Sequence, residues 1–145
     1  MGNLTQLKNI YLINNRLTSL PESFSNLKLL SGRLDLSNNR LTSLPSQIGN
    51  LQNITSLNLS RNNTLTYYYY NDQYYYDTCP AYGTLKTLPE SFGNLMNLTS
   101  FDASCSGLES LPESFGNLTK LNDLKLRSNN LITLPESFGN LSSLS

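Results

Sequence analysis

The chain has no histidine at any of its 145 positions. Histidine is the commonest general base and metal ligand, so Ser-His-Asp and Cys-His catalytic sites are excluded. The phosphate-binding patterns G-x-G-x-x-G and G-x-x-x-x-G-K-[ST] are missing as well, as is the nucleophile pattern G-x-S-x-G. We therefore expect a protein that is not an enzyme and that binds neither a cofactor nor a metal.

Net charge is also lacking, because ten Lys and Arg balance ten Asp and Glu. A neutral chain has no overall field that would hold nucleic acid, so nucleic-acid partners are not expected. No apolar run is long enough for a membrane span, and the N-terminal MGNLTQLKNI has neither the basic nor the apolar region of a signal peptide. These absences favour a cytoplasmic location without a membrane span.

What the sequence does contain is a leucine pattern with a period of 23 residues. In one unit the pattern comprises Leu118, Leu121, Leu124, Leu126, Asn129, Leu131, Leu134, Pro135 and Phe138. It predicts one domain over residues 1–145, with units at 4–26, 27–50, 51–94, 95–117 and 118–140 and a truncated sixth. The unit at 51–94 contains an insertion at 63–84. No capping segment is recognisable at either end, which favours a fragment of a longer array or a small array of marginal stability.

The pattern L-x-x-L-x-L-x-x-N-x-L with its continuation LPESFGNL resembles the leucine-rich repeat, in the 23-residue class of Ras-suppressor-like and Scribble-like intracellular proteins. The same phrase is similar to repeat regions of plant and protist receptors. The resemblance implies an α/β fold, a right-handed solenoid with a parallel β-sheet on its concave face and short helical or 3₁₀ turns on its convex face. It also implies that the concave sheet binds a protein partner.

The alternation in x-L-x-L-x predicts strands whose leucines point inward and whose neighbours point outward. The outward residues chosen as candidates for partner binding are Tyr11, Ile13, Arg33, Asp35, Asn58, Asp102, Asp123, Lys125 and Arg127. The two ends are favoured, since Tyr11 with Ile13 is apolar and Lys125 with Arg127 is basic. The alternative is that these polar residues are only solvated.

Two further features of each unit predict how it folds back. The segment L-P-E-S-F-G-N begins with a proline that fixes φ, which favours a short helical or 3₁₀ turn that carries its aromatic or Ile residue into the core. Asparagines follow the strands at Asn15, Asn39, Asn62 and Asn129, where a buried amide can bond backbone groups. Ser106 interrupts this series with a shorter side chain.

The insertion contains the stretch YYYYNDQYYYDTCPAYG at residues 67–83. Its tyrosine-rich arms favour strands, and Asn71-Asp72 at the centre favours a tight turn, so we predict a β-hairpin. Tyrosines make effective protein-contact residues, and the candidates are Tyr67, Tyr68, Tyr69, Tyr70, Tyr74, Tyr75 and Tyr76. The alternative is an expanded codon tract that the fold only tolerates.

Cys79 closes the insertion and Cys105 follows the next strand, at the edge from which the insertion leaves. A disulfide between them is possible, and two reduced cysteines are the alternative expected in the cytosol. The leading hypothesis is a non-enzymatic protein-interaction module or scaffold that binds through the concave sheet and the tyrosine-rich insertion. The alternative is an extracellular recognition fragment of a longer repeat receptor. The identity of the partner and the oligomeric state are left open.

Overall fold

The computed structural model describes residues 7–64, 69–70, 73–74 and 83–144. Within them one parallel sheet has the strand order β1-β2-β3-β6-β7. Its strands are β1 (Ile10–Tyr11), β2 (Arg33–Asp35), β3 (Ser56–Asn58), β6 (Ser100–Asp102) and β7 (Asp123–Lys125). A separate antiparallel pair joins β4 (Tyr69–Tyr70) to β5 (Gln73–Tyr74). The open parallel sheet confirms the predicted repeat solenoid.

The strands align because each repeat places its inward residue at the same position in its strand, so these residues pair across the sheet. Leu34 pairs with Leu57, Leu57 with Phe101, and Phe101 with Leu124. Leu34, Leu57 and Phe101 are at most 1% exposed. Burial of such side chains contributes about 1.5 to 3 kcal/mol each, so the stacked core stabilises every pair of neighbouring units.

Each unit returns through a short 3₁₀ turn on the side opposite the sheet. The turns are Glu22–Asn26, Ile48–Asn50, Glu90–Asn94, Glu113–Asn117 and Glu136–Asn140. In the last three units the phenylalanine rings of these turns stack, with centroids 5.9 Å apart for Phe92 and Phe115 and 6.2 Å for Phe115 and Phe138. The prediction of short turns with core-facing aromatic residues is confirmed.

The turns are also joined by polar contacts between successive units. Ser91 Oγ donates to the carbonyl of Ser46 at 2.7 Å, and Ser114 Oγ donates to that of Glu90 at 2.6 Å. The Glu22 carboxylate accepts the Ser46 N–H at 3.1 Å. Each unit therefore supplies hydrogen bonds to its neighbour on the turn side as well as in the sheet.

The predicted asparagine series forms a ladder behind the strands. Nδ2 of the buried Asn39 donates to the carbonyls of Leu12 and Leu36, and its Oδ1 accepts the N–H of Leu17. Asn62 makes the same contacts one unit later. The residue before each ladder position has positive φ, between 53° and 61°, and these residues are Asn14, Asn38, Arg61, Cys105 and Ser128. A left-handed residue thus turns the chain away from every strand.

Candidate functional site

The sheet face turned away from the core brings together the candidate residues of the strands. The register aligns Tyr11, Asp35, Asn58, Asp102 and Lys125 in one line across the five strands. Arg33 and Asp123 lie in a neighbouring line with Ser56 and Ser100. We call this surface the outward sheet face; it comprises Tyr11, Ile13, Arg33, Asp35, Ser37, Ser56, Asn58, Ser60, Ser100, Asp102, Ser104, Asp123, Lys125 and Arg127.

Exposure on the outward sheet face is greatest at its two ends. Tyr11 and Ile13 are 59% and 38% exposed, and the Lys125 side chain is 58% exposed. Asn58 and Asp102 in the centre are half-buried. The side chains with most surface available to a partner therefore belong to the first and last units.

Asp35 departs from the expected exposure, because it is only 1% exposed. Its Oδ1 accepts hydrogen bonds from Ser37 Oγ at 2.7 Å and from the Ser37 N–H at 3.1 Å. Its Oδ2 lies 2.6 Å from Arg33 Nη2 and accepts a bond from Asn58 Nδ2 at 3.3 Å. The expectation of an exposed Asp35 was wrong, since alternation indicates the face of a residue but not whether neighbouring side chains cover it.

This network also determines the charge state of Asp35. Burial by itself would raise the pKa of the carboxyl. The hydrogen bonds from Ser37 and Arg33 and the charge of Arg33 outweigh burial, so the pKa of Asp35 lies below the ordinary value of 3.8. The carboxylate is thus ionised at neutral pH, and its contacts are made within the chain.

Three residues of the aligned row support the ends of their own strands. The side-chain oxygens of Asp35, Asn58 and Asp102 each accept the N–H of the serine two residues later, at 3.1, 3.0 and 2.8 Å. Such turns stabilise the chain where it leaves the strand, just before the left-handed residue. The repeated D/N-x-S spacing is a sequence signal for this role that the periodicity analysis missed.

The basic end of the outward sheet face contains a depression of about 490 Å³. Its walls are formed by Ser60, Arg61, Asp102, Ser104, Cys105, Leu124, Lys125, Leu126 and Arg127. Beside it, Asp123 Oδ2 accepts hydrogen bonds from Lys125 Nζ at 3.1 Å and Ser100 Oγ at 3.0 Å. The bond from Lys125, followed by that from Ser100, lowers the pKa of Asp123 below its ordinary value.

Arg61 was absent from the sequence-derived candidates. The signal that could have identified it is its place immediately before a ladder residue, which it shares with Cys105. The left-handed backbone at both positions brings them into the same depression as Lys125.

The insertion leaves and re-enters the solenoid at one narrow point. Asn63 and Gly83 form an antiparallel bridge, and the Thr84 N–H donates to the carbonyl of Asn62 at 2.9 Å. Within the insertion, Tyr69 pairs with Tyr74 and Tyr70 with Gln73, the strand pairing expected of a hairpin about Asn71-Asp72. The candidates Tyr67, Tyr68, Tyr75 and Tyr76 lie outside the described residues.

Cys105 lies at the same edge of the sheet and takes part in a disulfide bond. The sequence has one other cysteine, Cys79, which lies outside the described residues. The pairing of Cys79 with Cys105 therefore stays a prediction.

The described residues contain no group of three or more Cys, Asp or Glu side chains arranged to hold a metal ion. Among them there is also no helix with the length and apolar character that crossing a membrane requires.

Known proteins resemble this chain both in its repeat sequence and in its structure. Residues 6–27, 33–51 and 120–141 match the family model described as Leucine Rich Repeat. A leucine-rich repeat protein of Leptospira interrogans has a similar structure, with 29% identity and a TM-score of 0.68 over 99% of this chain. This chain spans only 37% of the length of that protein.

A second solved structure, the leucine-rich repeat domain of the type III effector XopL, gives 21% identity and a TM-score of 0.39 over 98% of this chain and 68% of that one. No curated protein shows significant similarity to the chain. The assignment to the Ras-suppressor-like and Scribble-like class stays a prediction. The matched repeats, the Leptospira structure and the stacked parallel sheet together support a leucine-rich repeat protein.

Proposed function

We propose that the chain is a non-enzymatic protein-interaction module whose partner binds the outward sheet face at its basic end. The observation that carries this proposal is the depression of about 490 Å³ between Ser60, Ser104 and Lys125. Exposed charged side chains and the turns that follow the strands meet there on that face. Leu124 and Leu126 also line the depression, although their side chains pack against the core.

The charges around the depression indicate the chemistry of the partner. Arg61, Lys125 and Arg127 line it together with one carboxylate, that of Asp102. Cationic side chains attract a carboxylate through charge-assisted hydrogen bonds and speed up association with an acidic surface. We therefore propose that the bound segment of the partner carries Asp or Glu.

The centre of the sheet is less suited to provide binding energy. Asp35 is buried and accepts hydrogen bonds from Arg33 and Ser37. Asn58 accepts the Ser60 N–H through its side-chain oxygen and donates to the Asp35 carboxylate through Nδ2. A partner would have to replace these contacts before it gained new ones. This comparison favours the basic end, with Tyr11 and Ile13 as a second, apolar contact.

Site-specific photo-crosslinking tests the proposal directly. A photoreactive amino acid that replaces Ser104 would line the depression. The control is the same amino acid in place of the exposed Thr119, which lies just after the turn Glu113–Asn117 and outside the outward sheet face. We expect one protein to be captured from position 104 and not from position 119. Equal capture from both positions would contradict binding by the outward sheet face.

A second candidate function is recognition in an oxidising compartment, as an extracellular part of a longer repeat receptor. The disulfide bond at Cys105 favours it, because structural disulfides persist outside the reducing cytosol. Mass spectrometry of an unreduced digest of the protein from its native source should then show Cys79 linked to Cys105. Free thiols at both positions would favour the cytoplasmic module instead.

A further inference from the structure

The sequence contains seven N-x-S/T triplets, the pattern that accepts an N-linked glycan. One of them, at Asn3, lies outside the described residues. The other six begin at Asn53, Asn58, Asn62, Asn97, Asn117 and Asn140. A glycan is large and hydrated, so its asparagine must have an amide that faces water. Burial and hydrogen bonding therefore decide which of the six the fold leaves available.

Two of these asparagines have their amides engaged in the sheet and the ladder behind it. Asn62 is 0% exposed, and its Nδ2 donates to the carbonyls of Leu36 at 3.2 Å and Leu59 at 2.7 Å, which uses both amide hydrogens. Asn58 is half-buried on the outward sheet face, and both its Oδ1 and its Nδ2 are hydrogen-bonded. A glycan on either residue would break contacts that hold the solenoid together.

Two more asparagines link neighbouring units in the loops that precede the strands. Asn53 Nδ2 donates to the carbonyl of Lys28, and Asn97 Nδ2 donates to that of Gln52, each at 2.9 Å. Asn97 Oδ1 also accepts a hydrogen bond from Lys120 Nζ at 2.7 Å. The amides of both residues therefore already take part in the stacking of units.

Asn117 has neither the burial nor the contacts of these four residues. It ends the turn Glu113–Asn117 and is exposed, although a repeat is stacked on either side of it. Within the part of the chain that the structure describes, its side-chain amide makes no hydrogen bond. Thr119, the third residue of its triplet, is exposed as well, and its N–H donates to the carbonyl of Asn117 at 2.9 Å. Asn140 holds the same place in the last unit.

The repeat phrase alone does not create the triplet at Asn117. The asparagine that ends each turn is followed by leucine, but the residue after that leucine is Lys28, Gln52 or Met96 in the earlier units. Thr119 is therefore not required by the repeat. Because the turns lie on the side opposite the sheet, a group attached to Asn117 would leave the outward sheet face open to a partner.

We propose that Asn117 is a site of N-linked glycosylation. The proposal rests on the second candidate function, in which the chain enters an oxidising compartment. The co-substrate is an oligosaccharide joined through diphosphate to a lipid. Nδ2 of Asn117 forms a bond to the anomeric carbon of the first sugar and loses one hydrogen as a proton. The bond from that carbon to the diphosphate oxygen breaks, and the lipid diphosphate leaves.

Mass spectrometry of the protein from its native source tests this assignment. Cleavage after glutamate places Asn117 in the segment 114–136 and separates it from Asn97 in the segment 91–109. Treatment with a peptide-N-glycosidase in heavy-oxygen water converts each glycan-bearing asparagine to labelled aspartate. We expect the label at Asn117 and none at the buried Asn62. An unlabelled Asn117 overturns the proposal.

The thiol state in an unreduced digest distinguishes two ways in which the proposal fails. An unlabelled Asn117 together with a link between Cys79 and Cys105 refutes the glycan but leaves the second candidate function standing. An unlabelled Asn117 together with free thiols refutes both. Binding at the basic end of the outward sheet face is tested separately, by crosslinking from position 104.

Matched variants of the full chain, secreted from a glycosylating eukaryotic cell, test the position. Thr119→Ala removes the triplet and should lose the mass of one glycan, whereas Thr119→Ser keeps both. Met96→Thr creates the same N-L-T triplet at the exposed Asn94, the equivalent turn residue one unit earlier, and should gain one glycan. After enzymatic removal of glycans all three variants should melt like the parent chain. A Thr119→Ala variant that keeps the full glycan mass, or a Met96→Thr variant that gains none, overturns the proposal.

Discussion

Gly83 and Gly107 lie so close together that a Cβ added to either glycine would overlap the backbone of the other. Gly83 ends the insertion and Gly107 belongs to the next repeat, where φ is 90°. Ser106, in place of a ladder asparagine, donates through Oγ to the carbonyl of Leu59, and its own carbonyl accepts the N–H of Leu85 at 3.0 Å. The irregular Ser106-Gly107 thus makes room for the insertion to rejoin the stack.

Gly107→Ala should lower the free energy of unfolding. The left-handed backbone alone costs a residue with a Cβ about 1–2 kcal/mol, and overlap with Gly83 adds to this. Gly139→Ala is the control, since its Cβ meets nothing within 4 Å. Urea unfolding of both variants measures the difference, and a Gly107→Ala midpoint equal to that of the control would refute the close contact.

Much of this architecture follows from the sequence because it is periodic. The inward leucines, the 3₁₀ turns and the amide contacts of Asn39 and Asn62 depend on positions within one unit or its neighbour, which the period of 23 residues reveals. The burial of Asp35 depends on the particular partners Arg33 and Ser37, and the Gly83–Gly107 contact depends on where the insertion closes. Neither is repeated, so neither leaves a periodic signal.

The sequence pattern also predicted only part of the candidate site. Lys125 and Tyr11 could be placed on one face from alternation, but the depression also needs Arg61 and Cys105. Those two residues enter it through left-handed backbone conformations. Such conformations recur immediately before each ladder position, whereas the alternation of strand residues gives no sign of them.

Phe115→Ala should be among the most destabilising single changes in the described core. Phe115 is fully buried and stacks between Phe92 and Phe138, so removal of its ring leaves a cavity that costs about 3–5 kcal/mol. The exposed Glu113, two residues away, should tolerate replacement by Ala with little change. Denaturant unfolding gives both values, and equal losses would contradict the assignment of inward and outward positions.

Asp35 should make stability depend on acid pH. Its pKa is depressed in the folded state, so its contribution is fully present above the ordinary 3.8 and is lost as the pH falls through the lower folded pKa. Asp35→Asn should cost roughly 1 to 3 kcal/mol at neutral pH, because a buried charged acceptor loses its bonds. The cost should shrink as the parent carboxylate becomes protonated.

The control for this titration is Asp123→Asn. The Asp123 side chain is 48% exposed, so solvent screens its bond to Lys125 and the effect on stability should be small. Thermal melts across the acid range compare the two variants. A pH-independent difference between Asp35→Asn and the parent chain would show that Asp35 does not carry the depressed pKa.

The role of the tyrosine-rich insertion can be separated from folding by replacing residues 67–78 with a short Gly-Ser linker. The solenoid closes at Asn63 and Gly83, outside the replaced segment, so the melting temperature should change little. If the tyrosines contact the partner, the variant should lose binding of the protein that is crosslinked from Ser104. Unchanged binding would make the segment a tolerated insertion, and a large drop in melting temperature would make it a structural element.

The most direct measurement of the central claim compares two charge reversals in the last complete unit. Lys125→Glu changes the depression on the outward sheet face, and Lys120→Glu changes an exposed lysine on the loop that precedes β7, where its Nζ bonds Asn97. Titration calorimetry with the crosslinked partner should show about a tenfold or greater loss of affinity for Lys125→Glu, equivalent to about 1.4 kcal/mol, and almost none for Lys120→Glu. Equal affinities for the two variants would contradict binding at the basic end.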